Sequence, residues 1–201
     1  MKVSNAALVK TIHKFLRTEE KEILKELLDG YKRLVGEAIN IEQKIAWKEA
    51  IPKLRKVLSR LDDNIVIALE YRLPFSNERV DVILLGRSAE NKPKAIILEL
   101  KGWHSVKNVN DEIVEVNGKL HQHPEIQVLN YLGKLRFSHS AANLFEFVGA
   151  VWLYNLYNLS EIPLSFTDVK VFWGDNYNDL VEFLSKEIPN PPKTRRCKRF
   201  Y

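Results

Sequence analysis

Near the amino terminus Leu8, Ile12, Phe15, Leu16, Ile23, Leu24, Leu27 and Leu28 recur at mostly three- and four-residue steps. That spacing predicts an amphipathic helix, with Gly30 as a candidate break. A second run, Trp47, Ile51, Leu54, Leu58 and Leu61, has the same period and contains Pro52. An interior proline costs roughly 3 kcal/mol, so the helix is expected to kink there or to restart with Pro52 in its first turn.

The period then changes. Residues 65–73, 79–86 and 94–101 are short runs rich in Val, Ile and Leu, separated by turn-like segments at 74–78 and 88–93. They predict a three-stranded meander. Residues 103–122 are polar and irregular, and a helix is expected over about 124–137. Residues 147–155 and 169–173 have the pattern of strands, and 175–186 that of a closing helix with Leu180, Val181 and Leu184 on one face. The order α-α-β-β-β-α-β-β-α implies an α/β fold, a mixed β-sheet flanked by helices.

Composition narrows the class. With 201 residues, 45% of them hydrophobic, the chain can pack one domain with a helical extension. Cys197 is the single cysteine, which excludes a disulfide framework or a thiolate metal site within the chain. No stretch of about 18 apolar residues and no signal-peptide core is present, so no membrane span and a cytoplasmic location are expected. The net charge of +5 is concentrated in Lys193, Arg195, Arg196, Lys198 and Arg199 near the carboxyl terminus. The remainder is neutral. The tail is a candidate electrostatic arm for nucleic acid, or a plain solvated terminus.

Three charges stand out inside apolar strands. Glu99 and Lys101 end the run Ala95-Ile96-Ile97-Leu98, and their spacing of two puts them on one face. Asp81 sits between Val80 and Val82-Ile83-Leu84-Leu85. On neighbouring strands, Asp81 and Glu99 can lie a cross-strand step apart. Two such carboxylates repel unless a divalent cation lies between them, and oxygen donors suit Mg²⁺ or Mn²⁺. The Leu100 carbonyl is a further candidate metal ligand, and Lys101 a positive charge for an attacking water or a phosphorane-like transition state. A salt bridge across the sheet, Lys101 pairing Asp81 or Glu99, accounts for these residues equally well. No Gly-rich phosphate loop, Ser/His/Asp arrangement or zinc spacing is visible. His121 and His123 lack an evident third ligand, which favours a hydrogen-bonding role.

The flanking motifs add to this. Glu70-Tyr71-Arg72-Leu73-Pro74, Arg79-Val80-Asp81, Ile97-Leu98-Glu99-Leu100-Lys101-Gly102-Trp103 and His123-Pro124-Glu125-Ile126-Gln127 followed by Tyr131 occur in that order. This arrangement resembles the PD-(D/E)xK nuclease superfamily. More narrowly, it resembles the N-terminal nuclease-like region of Schlafen-related DNA/RNA helicases, with a match over about residues 40–185. Gln43 stands where the family helix carries a Glu four residues before its Trp, here Trp47.

The resemblance implies a restriction-endonuclease-like domain over 41–188, after an N-terminal helical extension (1–40) and before a basic tail (189–201). It implies a metal-dependent nuclease with Asp81, Glu99, Lys101 and Gln127 as catalytic residues. Asp81, Glu99 and Leu100 would hold Mg²⁺ or Mn²⁺. The expected partner is nucleic acid, DNA ahead of RNA, with room for a helicase partner and a homodimer. A catalytically inactive nucleic-acid-binding module of the same fold is the alternative.

Overall fold

The computed structural model describes residues 5–36, 39–157, 168–174 and 177–189. Asp175 and the five basic residues of the tail lie outside them. Among the described residues no helix is long and apolar enough to cross a membrane.

The chain opens with a strand, β1 (Ala6–Thr11), where the apolar spacing predicted helix. The Leu8-to-Ile12 step fits a helical period, but Leu8 lies on the strand and Ile12 opens the helix that follows. Thr11 caps that helix, α1 (Ile12–Arg17), through its side-chain oxygen. Next come α2 (Glu20–Val35) and α3 (Ile41–Leu58). Gly30 does not break α2. It lets the helix lie against β1, because a Cβ there would stand 1.8 Å from the Ala7 carbonyl oxygen. The third helix continues through Pro52, so the Lys48 carbonyl lacks its usual intrahelical donor.

The meander forms as expected: β2 (Val66–Arg72), β3 (Arg79–Arg87) and β4 (Pro93–Lys101). Residues 103–122 are not wholly irregular. They contain β5 (Lys107–Asn108), β6 (Ile113–Val116) and β7 (Lys119–Gln122), which form a small separate sheet. Asn117 and Gly118, with φ of 52° and 75°, make the tight turn joining β6 to β7. The helix α4 (Pro124–Ser138) follows, then a 3₁₀ turn at Ala142–Leu144, β8 (Glu146–Leu153), β9 (Val169–Trp173) and α5 (Asn178–Glu187).

The main sheet has six strands in the order β1-β2-β3-β4-β8-β9. The first four are antiparallel to their neighbours, while β8 and β9 are added in parallel. Apolar side chains bury both faces. Ile67, Leu69, Val82, Leu84, Ile96 and Leu98 pack with α1, α2, α3 and α5. Ala68, Ile83, Ala95 and Ile97 pack with Val128, Leu132 and Leu135 of α4. This is why β4 is apolar on both faces and why charges at its end are conspicuous.

Candidate active site

Alternation along β2 and β3 is interrupted at one level of the sheet. Leu69 packs in the α3 layer but Tyr71 in the α4 layer, although both are odd-numbered. Val82 and Val80 on β3 divide in the same way. The register is unbroken, with Leu69 opposite Val82 and Tyr71 opposite Val80. The change of face therefore falls at Glu70 and Asp81, and Glu70 has a left-handed backbone with φ of 52°. On the other side of β3, the last paired residues are Val82 and Leu98, and Asp81 and Glu99 come one step beyond.

At that step the ladder opens. Asp81 Oδ2 accepts the Leu100 backbone N–H at 2.8 Å, in place of a β3 carbonyl. The Lys101 carbonyl accepts the Tyr154 N–H at 3.0 Å on the β8 side. By strand alternation, the Leu100 carbonyl faces β3, the side from which Asp81 approaches.

Glu99 is buried, with 2% of its surface exposed. Its Oε1 accepts from Lys101 Nζ at 2.7 Å, so the salt bridge considered above is present. Its Oε2 is buried with no hydrogen-bond partner. Lys101 Nζ also donates to Gln127 Oε1 at 3.0 Å, and Gln127 Nε2 donates to the Tyr131 hydroxyl. The helix α4 thus delivers Gln127 to Lys101 one turn after its start at Pro124. The lysine ammonium also lies 5.5 Å from the centre of the Trp103 ring.

Burial, with the Glu99 and Glu70 charges, holds the Asp81 carboxyl well above the usual carboxylate range, against the opposing pull of Lys101 and the Leu100 N–H. Burial disfavours charge on Lys101, but the Glu99 and Asp81 carboxylates outweigh it and raise its pKa. Burial and the Glu99 charge push the Tyr131 hydroxyl up, so it stays protonated beside Gln127.

Glu70, which opens the first of the ordered motifs, is buried on β2. Its partner is Arg79, whose Nε donates to Oε2 at 3.0 Å. Trp47 Nε1 and Gln43 Nε2 donate to Oε1 at 2.8 and 3.1 Å. Gln43 therefore joins the site indirectly, as a neutral donor to a buried acid. Burial raises the Glu70 pKa despite these three donors. Nothing in the one-dimensional pattern announces this docking of α3 on β2.

His121 is exposed, with its ring 5.5 Å from that of Trp103. His123 is fully buried and caps α4, its Nδ1 accepting the Glu125 N–H at 3.3 Å. The two imidazoles hence have separate roles. Among the described residues, no group of three or more His, Cys, Asp or Glu side chains is placed to hold a metal ion. The nearby oxygen donors are the Asp81 carboxylate and the unpartnered Glu99 Oε2, one step beyond the last β3–β4 pair, and the Leu100 carbonyl, which faces β3. Mg²⁺ commonly takes one or two carboxylates and keeps several waters, so this set fits a hard divalent cation.

No protein-family model and no curated protein matches this chain.

Proposed function

We propose that the protein is a metal-dependent phosphodiester hydrolase acting on nucleic acid, DNA ahead of RNA, with a restriction-endonuclease-like fold related to PD-(D/E)xK nucleases. One observation carries the proposal: a buried Glu99 with an unpartnered oxygen beside an Asp81 whose ionisation is opposed. An orphaned buried carboxylate oxygen is costly. A cation between the two acids would satisfy it and relieve the repulsion. The coarse architecture agrees, since an antiparallel β2-β3-β4 unit extended by parallel β8 and covered by α4 brings the acids and Lys101 to one end of the sheet.

Asp81, Glu99 and the Leu100 carbonyl would hold Mg²⁺ or Mn²⁺. When bound, the cation supplies Lewis-acid activation of the phosphodiester and of the attacking water. Lys101 offers its remaining donor capacity to that water or to the charge developing on the phosphoryl oxygens. Gln127, itself held by Tyr131, fixes the direction of the lysine. Asp81 keeps the end of β3 registered on β4 through the Leu100 N–H.

A second reading, a non-catalytic nucleic-acid-binding module, is favoured by the neutral Gln43 and by the closed Lys101–Glu99 pair. Nicking assays on plasmid DNA with Mn²⁺ and with chelator separate the two. Mn²⁺-dependent nicking supports the hydrolase, a mobility shift without nicking supports the module, and neither result would sink both.

A further inference from the structure

The turn joining β2 to β3 presents an unusual residue. Phe75 is 97% exposed, and its φ of 55° lies in the left-handed region. A bulky aromatic residue seldom adopts that conformation, and burial gives it nothing in return. The turn is braced beneath it. Leu73 N–H donates to the Glu78 carbonyl at 3.0 Å, and Ser76 Oγ bonds Glu78 Oε2 at 2.8 Å. Glu78 is further tied to Lys134 of α4. Arg72 donates to the Ser76 carbonyl at 3.2 Å and to Asn77 Oδ1 at 2.9 Å. Both acceptors are neutral, Arg72 makes no ion pair among the described residues, and Arg72 and Phe75 line one open hollow.

The turn projects from the same end of the sheet as the acids. The last pair before it is Arg72 with Arg79, and Asp81 lies two residues further in. At about 3.3 Å per residue, that last pair stands roughly 7 Å beyond Asp81, and the turn lies further out.

We infer that Phe75 is a base-stacking wedge: its ring takes an unpaired nucleobase of a single-stranded or frayed nucleic acid whose backbone runs past Arg72 toward Asp81 and Glu99. The inference rests on the hydrolase reading for its direction, and it names the substrate class of that site. An exposed aromatic ring on a stiff support meets a base at little ordering cost, and stacking tolerates any base. Arg72 supplies the positive charge that a phosphate backbone requires.

The test uses the full chain and a short single-stranded oligonucleotide containing 2-aminopurine, titrated in EDTA. Wild type should change the probe's fluorescence on binding. Phe75→Ala should abolish that change and weaken binding about 5- to 150-fold, the range for one lost stack. Phe75→Trp should retain both. Equal signal and affinity for wild type and Phe75→Ala would overturn the inference, as would a wild type that leaves the probe unchanged. Mn²⁺-dependent hydrolysis of bis(p-nitrophenyl) phosphate reads the acid site separately. If that hydrolysis is absent while the Phe75-dependent signal persists, the stacking site stands and the hydrolase reading fails.

Discussion

Asp81 accepts the backbone N–H of Leu100 at 2.8 Å, so a side-chain carboxylate closes the ladder where β3 and β4 part. One oxygen is thereby committed to the fold while the group as a whole remains beside Glu99. Under the proposed hydrolase reading Asp81 would carry a structural and a chemical role together, and substitutions there must be chosen to separate them.

Asp81→Asn keeps an oxygen for the Leu100 N–H but removes the charge. Calorimetric titration should show Mn²⁺ binding to wild type and none to Asp81→Asn or Glu99→Gln. Because the folded-state pKa of Asp81 is raised, its contribution to stability is complete below the ordinary carboxylate pKa and is lost as pH rises through the raised value. Without metal, Asp81→Asn should therefore melt higher than wild type at neutral pH. Mn²⁺ affinity should increase across the same rise in pH, with protons released on binding. Undiminished binding in both variants would remove the metal site.

Removing Lys101 leaves Glu99 buried without its partner. In the absence of metal, Lys101→Ala should lose about 3–5 kcal/mol of stability, the cost of stranding a buried charge, and Mn²⁺ should restore most of it. At saturating metal, the turnover rate should still fall about 10²–10³-fold. Gln127→Ala, which frees the lysine, should cost about 10–100-fold. Full turnover per folded Lys101→Ala molecule would leave the lysine with a packing role alone.

The strands that carry Asp81, Glu99 and Lys101 were legible because each charge interrupts an otherwise apolar run. β1 was not, since its apolar residues coincide in spacing with the helix that follows. The β6–β7 hairpin could have been found, because Asn117-Gly118 between alternating apolar and polar residues is a strong turn signal. Two of the three donors on Glu70, Gln43 and Trp47, come from α3. They arise from helix–sheet docking, which local periodicity does not encode.

His123 caps α4 through Nδ1 as a neutral imidazole. Burial lowers its pKa, partly opposed by the Asp111 charge. Its contribution is thus present above the unfolded value of about 6.5, and is lost as pH falls through the lower folded value. Between pH 8 and 5 this group should lower the urea midpoint on the acid side, opposite in sign to Asp81, with a slope of at most about 1.4 kcal/mol per pH unit. His123→Asn retains a capping oxygen and should flatten that dependence. An unchanged profile in the variant would assign the acid sensitivity elsewhere.

Gly30→Ala places a methyl group against the Ala7 carbonyl, 1.8 Å from its oxygen. Forced separation of α2 from β1 should cost about 1–3 kcal/mol, visible as a lower Tm and faster amide exchange in β1. Retention of the wild-type Tm would mean that β1 and α2 sit further apart than described.

The order of strands also sets an order of assembly. β2, β3 and β4 join neighbours along the chain, whereas β1 must meet β2 across the span from Thr11 to Val66, and β4 must meet β8 across that from Lys94 to Glu146. Local hairpins close sooner than distant pairings. If the local hairpins form first, Glu70, Asp81 and Glu99 are gathered while the sheet is still incomplete, and their mutual repulsion would fall on the folding barrier. Neutralising Asp81 should then act mainly on the refolding arm of a chevron plot, accelerating it, and leave unfolding nearly unchanged.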